Sequence, residues 1–165
     1  MMASLPDVPF QHGTFTMPDA LWPLFENNRW LLGHLFALAA DNLLYAAEQR
    51  GLTLGIFGAL HTYGRQLNWN CHIHLSWTTG GINDHGNWKK MSFCLPKVRE
   101  RWIWNVRQFL LSAWEKLILP AELVHLRNYD EWKRFILSLG KNEEGKDYRQ
   151  FPNEMQQSKS LVIHR

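Results

Sequence analysis

With 165 residues, 45% of them apolar and 20% charged, the chain fits one domain with a real core and excludes a second full domain. A formal charge of +3 permits a polyanionic partner without demanding one. Two cysteines, Cys71 and Cys94, exclude a disulfide framework, and the N-terminus lacks the basic and apolar regions of a secretory signal. No apolar run reaches the length of a bilayer span, so the chain reads as cytoplasmic with no membrane partner.

Taken in order, residues 1–11 form an irregular lead-in, since Pro6 and Pro9 discourage regular structure. Residues 12–17 alternate as a short strand that Pro18 ends, and Asp19 is placed to cap a short helix through Phe25. Residues 28–50 read as a long amphipathic helix capped by Asn28, with Leu32, Phe36, Ala39, Leu43 and Ala47 along one side and Gly51 as its stop. Residues 54–63 are β-prone, and Gly55 and Gly58 there allow another backbone to approach closely. A polar turn over 64–70 leads into a second strand, and together they make a hairpin.

Gly80-Gly81 and residues 83–87 read as a mobile turn before a strand over 88–95. Pro96 opens a helix over 97–119. Val98, Trp102, Val106, Leu110, Ala113 and Leu117 form its buried side, with Lys97, Arg101 and Arg107 on a cationic one. Pro120 ends it, one or two shorter helices follow over 121–139, and residues 140–165 are polar enough to expect a poorly ordered tail. The expected architecture is α+β, a central and largely antiparallel sheet with flanking helices spanning 12–139.

Within the hairpin, Cys71, Ile73 and Leu75 alternate with His72, His74 and Ser76, so the two histidines leave one face about 7 Å apart. Two imidazoles so placed can converge on one divalent metal. His61, Gln66 and His12 are the candidates for a third ligand, while Cys71 faces the other way and suits a small buried hydrophobe. Arg65, Lys89, Lys90, Arg99, Arg101 and Arg107 are candidate phosphate contacts. Nine tryptophans are an excess for this length, and Trp69, Trp77 and Trp88 are candidates to stack on bases.

The runs 57–65, FGALHTYGR, and 67–75, LNWNCHIHL, resemble the rolling-circle insertion-sequence transposases with paired catalytic tyrosines, part of the His-hydrophobic-His (HUH) endonuclease superfamily. Thr14-Phe15-Thr16-Met17-Pro18 and Trp30-Leu31-Leu32 add to a resemblance that covers about residues 11–127. It implies an HUH-like fold and DNA transposition by nicking and joining single-stranded DNA at insertion-sequence ends. His72 and His74 would help hold Mg²⁺ or Mn²⁺ over the scissile phosphate, and a tyrosine would attack phosphorus to form a 5′-phosphotyrosine link. The family's paired tyrosines lie one helical turn apart, and no Tyr-x-x-x-Tyr occurs here, which implies an incomplete copy with Tyr129 as the substitute nucleophile. Two alternatives stand beside it. His12-Gly13-Thr14 and His74-Leu75-Ser76 fit the His-x-Ser/Thr motifs of two-histidine phosphoesterases, which use histidine acid and base without metal. A non-catalytic single-strand-binding remnant is the other.

Overall fold

The computed structural model describes residues 7–64, 66–139 and the strand Val162–His164. The chain is built on a strand far longer than the histidine motif. Apolar residues at every second position from Cys71 to Trp77 keep β3, Trp69–Ile82, in register for 14 residues at the centre of the sheet. It pairs antiparallel with β1 (Phe10–Phe15), β2 (Thr53–Tyr63) and β4 (Trp88–Lys90). The order is β2-β3-β1-β5, where β5 is Val162–His164 paired antiparallel with β1. The α+β architecture with an antiparallel sheet is therefore as expected.

Among the described residues, four α-helices form the second layer: α1 (Trp22–Asn27), α2 (Leu32–Glu48), α3 (Leu95–Ser112) and α4 (Tyr129–Ser138). The helical periodicity explains why they bury one stripe each. Leu35, Ala39, Leu43 and Ala47 of α2, and Val98, Trp102, Val106 and Leu110 of α3, close over Phe15, Ile73, Leu75 and Trp77. Trp102 fixes α3 to the sheet, with its ring edge-on to Phe15 at 5.3 Å and its Nε1 donating to Thr16 O at 2.7 Å. On α4, Trp132 and Ile136 are buried, and Trp132 Nε1 donates to Leu110 O of α3.

Several local expectations give way to tertiary contacts. Gly80 and Gly81 are not a turn but part of β3; a Cβ on Gly81 would stand 2.6 Å from Thr53 O, so glycine is what lets β2 close against this end of β3. The turn is tied by Asn83 Oδ1, which accepts from His85 N and Asn87 N. The strand expected over 88–95 stops at Lys90, and the helix expected to reach 119 stops at Ser112, followed by a 3-10 turn, Trp114–Lys116. Asn28 caps nothing. Its Nδ2 donates to Leu24 O and Ile118 O, and its Oδ1 accepts from Ile118 N, so it clamps the α1–α2 junction to the segment after α3. Asp19 lies inside a 3-10 turn, Asp19–Leu21, rather than capping a helix.

The helical stretch Arg29–Glu48 is long and apolar enough, by length and composition, to cross a membrane, contrary to the expectation from sequence. Leu35, Ala39, Ala40, Asn42, Leu43 and Ala47 are buried against the rest of the fold, as in a core helix. Of the polar tail over 140–165, only Val162–His164 falls within the described residues, and there it is a strand; residues 1–6 of the lead-in also lie outside them.

Candidate metal centre on the open sheet face

Side chains paired across antiparallel strands share a face. The face of β3 away from the helices therefore carries two rows of three and one of two, read off the register: His12–Ser76–Phe57, then Thr14–His74–Ala59, then His72–His61. His12, Phe57, Ala59, His61 and His74 are exposed there. Gly58 makes the close pairing possible, since a Cβ on it would collide with the His74 carbonyl oxygen.

The last two rows bring three imidazoles together. Ring centroids lie 4.4 Å apart for His61–His74, 4.9 Å for His72–His74 and 5.4 Å for His61–His72. One nitrogen from each lies within 4.8 Å of the others. Around a zinc-like ion with nitrogen at about 2.0–2.1 Å, tetrahedral ligand atoms stand roughly 3.3 Å apart. Closing to that spacing requires rotation of side chains, of which His61 and His74 are exposed. Of the three candidates for third ligand, His61 is brought beside His72 and His74, whereas His12 belongs to another row and Gln66 is exposed in the turn.

The surroundings leave these imidazoles able to serve as ligands. His72 Nδ1–H donates to Asn70 O at 2.9 Å, which leaves the lone pair on Nε2. Burial holds the His72 pKa below the usual histidine value; the Asn70 bond opposes this, and neighbouring His61 adds to it. A neutral ring is the ligating form. His74 Nδ1 pairs with Thr14 Oγ1 at 3.2 Å, a hydroxyl that accepts as readily as it donates and so permits the same tautomer. Cys71, on the core side, donates to Met17 Sδ, and burial pushes its thiol up to about 12, so it stays protonated and is no ligand.

Residues 55–157 match the Y2_Tnp family, described as "Putative transposase". The chain belongs to this transposase family. It is 56% identical over 137 residues to the "Transposase for insertion sequence element IS801" of Pseudomonas savastanoi pv. phaseolicola, an overlap of 82% of this chain and 33% of that protein. It is also 30% identical over 155 residues to "Putative transposase y4qJ" of Sinorhizobium fredii (strain NBRC 101917 / NGR234), covering 86% of this chain and 38% of that one. The chain spans about a third of the length of these curated relatives. No solved structure matches it. The resemblance carried by residues 57–75 is thus borne out at the level of the family.

The other expected transposase residues scatter. Tyr129 opens α4 in the helical layer, edge-on to Trp114 at 6.0 Å, and is not brought to the histidine face. Trp88, Lys89 and Lys90 form β4 and are all exposed. Arg101 lies with its guanidinium 3.5 Å over the Tyr45 ring, and Arg107 donates to Leu139 O, so both are engaged in holding helices together. Trp69 is half-buried, donates to Trp22 O and carries the Arg29 guanidinium on its ring. Trp77 is fully buried and donates to Gln11 Oε1, which removes it as a base-stacking surface. Arg65 lies outside the described residues. Sequence reasoning passed over Thr14 as the partner of His74 and over the His12–Ser76 contact; both follow from the β1–β3 register, which no local pattern displays.

Proposed function

We propose that this chain supplies the metal-and-DNA half of a transposase site, in an HUH-like arrangement. It would bind single-stranded DNA at insertion-sequence ends with the scissile phosphate over His61, His72 and His74. The observation that carries the reading is the convergence of the three imidazoles on the exposed face of a sheet in a transposase-family chain. A divalent ion held there supplies Lewis-acid polarisation of a phosphoryl oxygen. His72, fixed by Asn70, and His74, beside Thr14, keep the ligating nitrogens aimed outward, and His61 closes the set. Imidazoles without a carboxylate suit a softer ion than Mg²⁺, so of the two expected ions Mn²⁺ is the better fit.

Nicking needs an attacking hydroxyl on the open face. The 165 residues contain no Tyr-x-x-x-Tyr, and Tyr129 stands in the helical layer. We therefore assign this chain metal-strengthened binding of single strands, with cleavage only where a tyrosine is presented to that face. A cytoplasmic setting accords with the free thiols of Cys71 and Cys94. The test is a denaturing-gel assay with labelled oligonucleotides spanning candidate element ends, in Mn²⁺ and in EDTA, with a His72→Ala/His74→Ala control. Retarded, uncut DNA whose binding Mn²⁺ strengthens, with that increment lost in the double histidine variant, supports the assignment. A protein-linked cleavage product would identify an active nuclease instead, and metal-independent behaviour would remove the triad from the function.

One observation keeps a second reading. The His-x-Thr and His-x-Ser motifs face each other reciprocally, His12 to Ser76 and His74 to Thr14, as an acid–base pair working on a phosphoester would require. Ester hydrolysis that survives EDTA would favour it.

A further inference from the structure

The row beside the metal centre is not used by the triad, yet its composition is that of a binding site. His12 Nδ1 and Ser76 Oγ lie 2.6 Å apart, joining an exposed imidazole to a serine only 9% exposed. On the other side of Ser76, directly opposite in the register, stands Phe57. Its ring is 42% exposed and is held edge-on by Phe10 at 5.6 Å, so it is both rigid and open.

We propose that this row is a nucleotide subsite: the His12–Ser76 pair takes a phosphodiester, and the Phe57 face takes the adjoining base of a single strand. The proposal deepens the assignment above and rests on it for the identity of the ligand as DNA. Its chemistry follows from the pair itself. If the serine hydroxyl donates to Nδ1, the imidazole presents Nε2–H outward. If instead Nδ1–H donates to Oγ, the hydroxyl proton is released outward. Either tautomer leaves one donor for a phosphate oxygen. The spacing agrees, because same-face positions on a strand recur at about 7 Å, comparable with successive phosphates along an extended strand. A phosphate at the His74 end of the triad thus puts its neighbour over Ser76. An exposed aromatic next to a phosphate donor selects a nucleic acid over other polyanions, and an unstacked base over a duplex. A cross-strand aromatic pair also packs a sheet surface, and the Phe57→Trp variant separates that role from stacking on a base.

The experiment is fluorescence anisotropy of a labelled oligothymidylate with the full chain, in EDTA and again in Mn²⁺. The variants are His12→Ala, Phe57→Ala, Phe57→Trp and His72→Ala/His74→Ala, each first shown by circular dichroism to melt as the wild type does. In EDTA, Phe57→Ala should weaken binding roughly five-fold or more, the loss typical of one stacked base. Phe57→Trp should restore it, a rescue that a purely packing role would not produce. His12→Ala should also weaken binding in EDTA, whereas the double histidine variant should lose only the increment added by Mn²⁺. Wild-type affinity of both Phe57→Ala and His12→Ala, or no binding by the wild type in EDTA, would overturn the subsite. The Mn²⁺ increment separately decides the metal reading. Thymidine monophosphate is the competing probe: displacement of the oligonucleotide at equal concentration would mean a mononucleotide pocket and overturn the strand assignment.

Discussion

Replacing Asn28 with alanine should loosen the junction on which the helical layer depends. Asn28 is 2% exposed and makes hydrogen bonds at 2.9 Å to Leu24 O, 2.8 Å to Ile118 O and 2.8 Å from Ile118 N. Leu24 O keeps the Asn28 backbone N–H as a second donor, so losing the side chain there costs little. Ile118 O likewise keeps Asn27 Nδ2, which donates to it at 2.9 Å, so Ile118 N alone loses its partner; that costs about 1–1.5 kcal/mol, the low end for an unsatisfied buried polar group because Ile118 itself reaches solvent. The total loss is therefore about 1–1.5 kcal/mol. In urea, with a slope of about 1–3 kcal/mol/M for a domain of this size, the midpoint should fall by roughly 0.5 M. Asn28→Asp sharpens the test. Its carboxylate would still accept from Ile118 N but would face two carbonyl oxygens, which raises its folded pKa. The variant should therefore regain stability as pH falls through that raised value, where a protonated oxygen can donate again. A midpoint for Asn28→Ala within experimental error of the wild type would refute the clamp.

Three further outcomes follow from the core and the site. In metal-free protein, the lowered pKa of His72 means that the folded state resists its protonation; stability should hold above the unfolded histidine value of 6.5 and decline as pH falls through it towards the folded one. Urea midpoints across that window should show the slope, and His72→Gln should flatten it. A thiol reagent should modify exposed Cys94 and spare Cys71, whose burial pushes its pKa up to about 12, until the chain is unfolded; labelling followed by mass spectrometry reads this directly. Gly58→Ala should cost about 1–3 kcal/mol by overpacking, because the new Cβ meets the His74 carbonyl and Leu75 Cδ2. It should also weaken metal binding, since β2 must move and carries His61 with it.

What the sequence disclosed was whatever a local period encodes. Val98, Trp102, Val106 and Leu110 recur at helical spacing and are buried together, and the alternation around His72 and His74 placed both on one face. What it hid were consequences of strands meeting. Gly80 and Gly81 look like a turn to any local rule, yet they lie where β2, β3 and β4 converge and a side chain will not fit. His61 could be named as a candidate ligand but not chosen, because the β2–β3 register shifts between His61 and Tyr63 and no motif marks that irregularity. Asn28 has the composition of a helix cap and the surroundings of a buried clamp; only contact with Ile118, 90 positions away, separates the two. Trp77 shows the same limit, since an indole suited to stacking on a base is equally suited to a core.

The most direct measurement is a calorimetric titration of the metal-free chain with Mn²⁺, repeated on His61→Ala, His72→Ala and His74→Ala. Three imidazoles holding one ion require a single saturable site per chain. Each substitution should weaken it by more than the ten- to hundred-fold typical of losing an outer-shell partner, with unfolding midpoints confirming that every variant is folded. Absence of saturable binding, or variants that bind as tightly as the wild type, would contradict the assignment of His61, His72 and His74 as a metal centre.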